Sequence, residues 1–189
     1  KVGTNTYTQV AAALRSFGGY GLAQQVFGAA NLAGEFAAPP QKMVDQDVAA
    51  RLHAALRLTL PPQDATQIAT EAGHRTADYL LANRIPRPAQ WVMKMLPSRL
   101  AAPILLRATA SNAWTYAGTG RVRIKHGNPC TLEIIDNPLA QPLCPWHVAV
   151  FERLFRALVS KAAQVTHRSC CANGAPACQF EITLTRKSP

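Results

Sequence analysis

Two neighbouring stretches, Arg121-Val-Arg-Ile-Lys125 and Thr131-Leu-Glu-Ile-Ile-Asp136, decide the fold class of this chain. Polar and apolar residues alternate in both, which is the two-residue period of a strand with one solvated face. Gly127-Asn128-Pro129 lies between them and supplies turn-forming residues. The pattern predicts a β-hairpin, and strands with one wet face are typical of antiparallel sheets.

The chain after the hairpin predicts a helix followed by two more strands. Apolar residues recur at helical spacing from about residue 145 to residue 160. The two-residue alternation is expected again over residues 163–168 and 179–185. The resulting β-β-α-β-β order predicts an antiparallel sheet with a helix packed on one face.

The chain before the hairpin has the three-to-four-residue spacing of amphipathic helices. Pro39-Pro40 and Pro61-Pro62 interrupt this spacing, and two further helices are expected over residues 88–96 and 98–112, separated at Pro97. We therefore predict an α+β fold in which a helical N-terminal half packs on the antiparallel sheet. Residues 1–62 are expected to be a helical extension of a domain that covers residues 63–189, the two forming one compact unit.

Composition excludes several classes of protein. Hydrophobic residues make up 48% and charged residues 16% of the 189 residues, which excludes a disordered chain. The formal net charge of +10 comes from isolated basic residues, so we expect no nucleic-acid binding. The charge suits an anionic ligand or a peripheral contact with an anionic membrane. No membrane-spanning stretch or signal peptide is evident, which predicts a cytoplasmic protein, although a chain that begins at Lys1 leaves a trimmed targeting segment open.

Cysteines carry the strongest indication of a site. Cys170-Cys-Ala-Asn-Gly-Ala-Pro-Ala-Cys178 is a tight connection between the last two predicted strands, so Cys170 and Cys178 should face each other at the strand ends. Cys144 and His147, in Cys-Pro-Trp-His at the start of the predicted helix, could complete a tetrahedral zinc site. The alternatives are that these thiols are buried apolar residues, or that His167 activates Cys170 or Cys171 as a nucleophile.

The order of these residues resembles a known family. A Cys that opens a helix, then a strand, then Cys-x3-Gly-x3-Cys-x-Phe is similar to the four-vinyl-reductase domain, here at Cys144, Cys170, Gly174, Cys178 and Phe180. That family has a branch in bacteriochlorophyll synthesis and includes sensor domains of aromatic-responsive regulators. Its fold is similar to that of transport-complex subunits that hold an acyl chain. The resemblance implies zinc at the matching cysteines, a ligand pocket between helices and sheet, and a homodimer.

Two departures from the family pattern leave the fourth metal ligand open. The family usually has a Glu shortly before the first cysteine of the final motif, where this chain has Thr166-His167-Arg168. The regulator branch has another cysteine one helical turn after the position of Cys144, where this chain has Val148. His147, Cys171 and His167 are the candidates, and His147 is the one we assign together with Cys144, Cys170 and Cys178.

The resemblance to the bacteriochlorophyll branch implies a tetrapyrrole ligand of the divinyl protochlorophyllide or magnesium protoporphyrin type. Such a flat macrocycle needs apolar walls and a cation at its carboxylate edge. We assign Trp91, Met95, Trp114 and Tyr116 as walls and Arg107 as the cation, with Arg99 or Arg121 as alternatives. For each of these apolar residues, filling the core is the simpler alternative.

Three functions follow from the resemblance, and no catalytic residue is assigned. The first is a carrier or accessory factor that presents a tetrapyrrole to the enzymes of bacteriochlorophyll synthesis. The second is a divinyl-tetrapyrrole vinyl reductase with an external reductant, and the third is a zinc-containing small-ligand sensor module. Gly18-Gly19-Tyr20-Gly21 lies between predicted helices and lacks the context of a dinucleotide fingerprint, and the cysteines lack ferredoxin spacing. The carrier is therefore the favoured hypothesis.

Overall fold

The computed structural model describes residues 1–184, which form a helical half and a four-stranded sheet. The helices are α1 (Asn5–Ala29), α2 (Ala33–Ala37), α3 (Gln46–Thr59), α4 (Pro62–Asn83), α5 (Arg87–Met95), α6 (Ser98–Ser111) and α7 (Pro145–Leu158). The strands are β1 (Arg121–Lys125), β2 (Cys130–Ile135), β3 (Ala163–Ser169) and β4 (Ala177–Leu184). No helix in this part of the chain is both long enough and apolar enough to cross a bilayer.

The sheet has the order β1-β2-β4-β3, and each neighbouring pair is antiparallel. The predicted α+β class and the β-β-α-β-β order are confirmed. Element ends differ from the prediction by one or two residues: α7 ends at Leu158, and β4 begins at Ala177. Residue 185, the predicted end of β4, lies outside the described residues.

Helix α7 covers one face of the sheet. Cys178, Phe180, Ile182 and Leu184 alternate along β4, and all four are buried. Phe180 meets Phe151 of α7 edge-on, with ring centroids 5.1 Å apart. Burial of one such aromatic side chain stabilises the fold by roughly 1.5–3 kcal/mol. The contact between Phe151 and Phe180 therefore helps to hold α7 on the sheet.

The helical half shares its core with the sheet. One cluster of buried apolar residues runs from Tyr7 of α1 to Leu184 of β4. The predicted division at residue 62 falls at the start of α4, which packs on both α1 and α7. The glycine run at residues 18–21 interrupts α1, where Gly19 has φ of 78°, and it does not follow a strand. This placement differs from that of a dinucleotide fingerprint.

Gly73 permits the close approach of α4 to α7. A Cβ atom at this position would lie 2.5 Å from the carbonyl oxygen of Trp146 and 2.7 Å from Cβ of Ala149. Both distances are well below van der Waals contact. A side chain at residue 73 would therefore push the first turn of α7 away from α4.

Gly73→Ala is expected to lower the free energy of unfolding by up to about 2 kcal/mol. Overpacking costs about 1–3 kcal/mol, and the roughly 1 kcal/mol by which Ala improves helix propensity offsets only part of that cost. Urea denaturation measures the change. Gly28→Ala in α1 is the matched control, because nothing lies within 4 Å of the added methyl group. Equal effects of the two substitutions would contradict the close packing of α4 on α7.

Candidate functional site

An unusual backbone conformation places Cys144 at the start of α7. Cys144 has φ of 42° and ψ of 50°, and Leu143 before it has φ of 67°. Side-chain-bearing residues rarely adopt this left-handed region, and they retain it where surrounding structure or function requires it. The Cys144 amide donates to the carbonyl oxygen of Gln141 at 2.7 Å. This turn directs the Cys144 thiol to the sheet.

Three thiols meet where β3 ends and β4 begins. Cys144 Sγ lies 3.8 Å from Cys170 Sγ and 3.7 Å from Cys178 Sγ, and the latter two are 3.9 Å apart. A tetrahedral ion with metal–sulfur bonds of about 2.3 Å requires sulfurs about 3.8 Å apart. A disulfide would require about 2.05 Å, and all three thiols are free. The spacing is that of ligands around one metal ion.

His167 is the fourth member of this cluster. One of its ring nitrogens and the three sulfurs all lie within 4.8 Å of one another. Strand alternation places His167 on the same face of β3 as Val165, and its ring stacks on Phe180 with centroids 5.0 Å apart. Its Nε2 atom is buried without a hydrogen-bond partner among the described residues. Three thiols and one imidazole form a complete tetrahedral donor set, which could hold a metal ion.

The cluster favours one thiolate. The Cys144 thiol donates to Cys178 Sγ at 3.7 Å. This hydrogen bond, together with His167 and the Cys171 amide 3.3 Å from the same sulfur, lowers the pKa of Cys178 below its usual range. The same hydrogen bond and burial raise the pKa of Cys144 well above its usual range. A metal ion binds thiolates and displaces thiol protons, so one site is already prepared for it.

Of the four predicted metal ligands, the structure brings together Cys144, Cys170 and Cys178 but not His147. The Nε2 atom of His147 lies 3.2 Å from the carbonyl oxygen of Tyr116, in an aromatic part of the core. Burial lowers the pKa of His147 to about 4, so this ring is neutral. Cys144 precedes α7 with left-handed backbone angles, so its thiol and the His147 ring do not converge as predicted.

Among the alternatives for the fourth ligand, the structure places His167 in the cluster. Cys171, the remaining alternative, lies outside it with its Sγ 3.9 Å from the carbonyl oxygen of Ile134. Four protein ligands would leave no position for substrate, which is the arrangement of a structural metal site. Such an ion would join the start of α7 to the ends of two strands.

A cavity of about 1190 Å³ lies between α6, the β1–β2 turn and the α7–β3 connection. We call it the α6 cavity. Apolar walls come from Ala102 and Leu106 of α6 and from Leu184 at the end of β4. Arg99, His126 and Lys161 bring basic side chains to the same space. An apolar cavity with a few basic groups suits a largely apolar anion.

The five residues predicted to bind ligand do not line this cavity. Tyr116 is buried in the core, where its hydroxyl donates to the carbonyl oxygen of Thr109 at 3.1 Å. Trp91, Met95, Arg107 and Trp114 are exposed. Sequence reasoning missed Lys161 and gave His126 no role, because the cavity is formed by segments that lie far apart in the chain.

Comparisons with known proteins define the family. Residues 137–184, which include all four cluster residues, match the four-vinyl-reductase domain. The chain is 40% identical to the bacteriochlorophyll synthase 23 kDa chain of Cereibacter sphaeroides over 188 residues, covering 96% of this chain and 90% of that protein. The chain belongs to this four-vinyl-reductase domain family. It is also 38% identical to the protein of the same name from Rhodobacter capsulatus over 157 residues, covering 80% of this chain and 73% of that one. The resemblance found in the sequence is confirmed.

Solved structures confirm the fold class of this family member. An iron(II) unliganded H-NOX protein from K. algicida matches with a TM-score of 0.67 at 11% identity, over 98% of both chains. An H-NOX protein from S. oneidensis matches with a TM-score of 0.59 at 13% identity, over 98% of this chain and 100% of that one. At these identities the likeness shows the α+β fold alone.

Cobalt(II) is expected to bind the cluster with one equivalent per chain and to give sulfur-to-metal charge-transfer absorption. Simultaneous substitution of Cys170 and Cys178 by Ser should abolish that absorption, because two of three thiolates are lost. His167→Ala should weaken cobalt binding and alter the ligand-field bands. Titration of metal-free protein followed by absorption spectroscopy measures all three.

The controls are Cys171→Ser and His147→Gln, which alter neighbouring residues outside the cluster. Both should retain one equivalent of cobalt with an unchanged spectrum. If His147→Gln altered the bands and His167→Ala did not, the assignment of His167 would be wrong.

Proposed function

We propose that this protein binds a tetrapyrrole intermediate of bacteriochlorophyll synthesis in the α6 cavity and presents it to enzymes of that pathway. The relatives are named as chains of bacteriochlorophyll synthase, which supports a role in this pathway and association with its enzymes. The observation that carries the ligand class is the cavity itself. Its volume of about 1190 Å³ exceeds that of most small-molecule sites, as a macrocycle requires.

The cavity residues fit the parts of such a ligand. Leu106 and Leu184 offer apolar contact to a flat ring. Arg99 and Lys161 carry positive charge for its carboxylates, which form strong charge-assisted hydrogen bonds. His126 also lines the cavity, and its imidazole could bind a central magnesium. The basic groups thus account for the polar features of a magnesium tetrapyrrole.

The fold supports this ligand class. One of the solved H-NOX structures that match this chain comes from work on heme distortion in that family, and heme is a tetrapyrrole. An α+β scaffold of this type therefore accommodates a macrocycle.

We propose that zinc occupies the cysteine cluster and acts as a structural ion. Three thiolates and an imidazole are ligands that zinc prefers in closed tetrahedral sites. Cys144 precedes α7, whereas the α6 cavity lies beyond the other end of that helix, at Val159 and Lys161. A helix of 14 residues is about 21 Å long, so the ion would not contact the pigment. This distance favours a carrier over metal-assisted chemistry.

Magnesium protoporphyrin is expected to bind the protein at micromolar concentration with a red-shifted Soret band. Replacing both Arg99 and Lys161 by Gln should weaken its binding roughly tenfold or more, because a hydrogen bond to a charged group is worth about 1.5–3 kcal/mol. The dimethyl ester of the same porphyrin should bind both proteins equally, since it lacks the carboxylates. Absorption titration gives the dissociation constants.

Arg51→Gln combined with Lys42→Gln is the matched control, because neither residue lines the cavity. This control should bind both porphyrins as the native protein does. The proposal would be contradicted if magnesium protoporphyrin did not bind at micromolar concentration. It would also be contradicted if the Arg99 and Lys161 double variant lost the same affinity for the acid as for the ester. Conversion of a divinyl to a monovinyl pigment by purified protein and an added reductant would favour the vinyl reductase instead.

A further inference from the structure

Helix α5 has an apolar face that the rest of the protein leaves exposed. Met93 is buried, and Gln90 on the same side donates to the carbonyl oxygen of Ile85 at 2.8 Å, so this side attaches α5 to the protein. Trp91 and Met95 project from the opposite side, one helical turn apart, and are 65% and 68% exposed. Pro88 and Val92 complete this exposed side, which we call the α5 outer face.

The chain around α5 carries positive charge without compensating acids. No Asp or Glu occurs between Asp78 and Glu133. Basic side chains are exposed at the end of α4, on α5 and on α6, and none of them forms an ion pair with another described residue: Arg84, Arg87, Lys94 and Arg107. The segment that carries Trp91 therefore has a net positive charge.

We propose that the α5 outer face lies on the surface of an anionic lipid bilayer. Tryptophan prefers the interface between water and lipid, and Met95 and Val92 would enter the acyl boundary beside it. Arg87 and Lys94 would meet lipid phosphates at the level of the headgroups, where each basic residue contributes attraction. Leu100 and Ile104 on the next helix, α6, are further exposed apolar side chains.

A lipid surface fits this face better than a second copy of the chain does. Contacts between identical subunits usually have twofold symmetry, which would place the basic residues of one copy near those of the other. A stable dimer also buries about 800 Å² per partner, which is large for one nine-residue helix. An anionic bilayer instead offers opposite charge and an apolar layer together.

Co-sedimentation with vesicles tests the proposal. The protein should bind vesicles of equimolar phosphatidylglycerol and phosphatidylcholine, with a blue shift of tryptophan emission, and should bind pure phosphatidylcholine at least tenfold more weakly. Met95→Glu should reduce binding to the anionic vesicles about tenfold or more, because it removes apolar contact and adds a repelled charge. Binding should also fall as salt is raised, since salt screens charges between protein and lipid.

Leu58→Glu is the matched control, because Leu58 is 88% exposed on α3, away from α5, and undergoes the same change of charge. If Met95→Glu and Leu58→Glu reduced vesicle binding equally, or if the protein bound neutral and anionic vesicles equally, the proposal would be overturned. A concentration-dependent dimer that Met95→Glu converts to a monomer would assign the face to a second copy instead. Porphyrin titration of Met95→Glu separates this proposal from the previous one, because Met95 does not line the α6 cavity and pigment affinity should be unchanged.

Discussion

The convergence of three thiols and one imidazole is the constraint on which the sheet half of this protein depends. Cys144 lies before α7, His167 and Cys170 lie on or just after β3, and Cys178 lies near the start of β4. The sulfurs are 3.7–3.9 Å apart, which leaves room for an ion between them. Helix α7 and strands β3 and β4 all extend from this point, so one ion would fix their relative positions.

The cysteine cluster and the α6 cavity lie at opposite ends of α7, β3 and β4. Strand β3 begins near Lys161 of the cavity and ends just before Cys170 of the cluster, and β4 runs back past Cys178 to Leu184. An ion in the cluster would therefore stabilise the helix and strands that border the cavity. It would not contact a ligand in the cavity. Helix α6 forms one wall of the cavity and directly follows α5. The proposed membrane contact at α5 would bring the α6 cavity close to the lipid surface.

The periodicity of apolar residues predicted the fold, because the side of each helix or strand that is buried sets the spacing of its apolar residues. Alternation along β4 and helical spacing along α7 identify the faces that meet at Phe151 and Phe180, so the order of elements followed directly. The convergence of Cys144, Cys170 and Cys178 was predictable for the same reason. The fourth member of the cluster was not, since the left-handed backbone of Cys144 directs its thiol to the sheet, whereas His147 lies in the aromatic core. Alternation along β3 did contain a signal, because His167 shares the inward face of Val165. The α6 cavity was harder to predict, since Arg99, His126 and Lys161 meet only through tertiary structure.

A crystal structure of the complex with magnesium protoporphyrin is the most direct measurement of the ligand site. The macrocycle is expected between α6 and the β1–β2 turn, with its carboxylates at Arg99 and Lys161 and with a tetrahedral ion about 20 Å away at Cys144, Cys170, Cys178 and His167. A macrocycle bound at the cysteine cluster or on the α5 outer face, with the α6 cavity empty, would contradict the assignment.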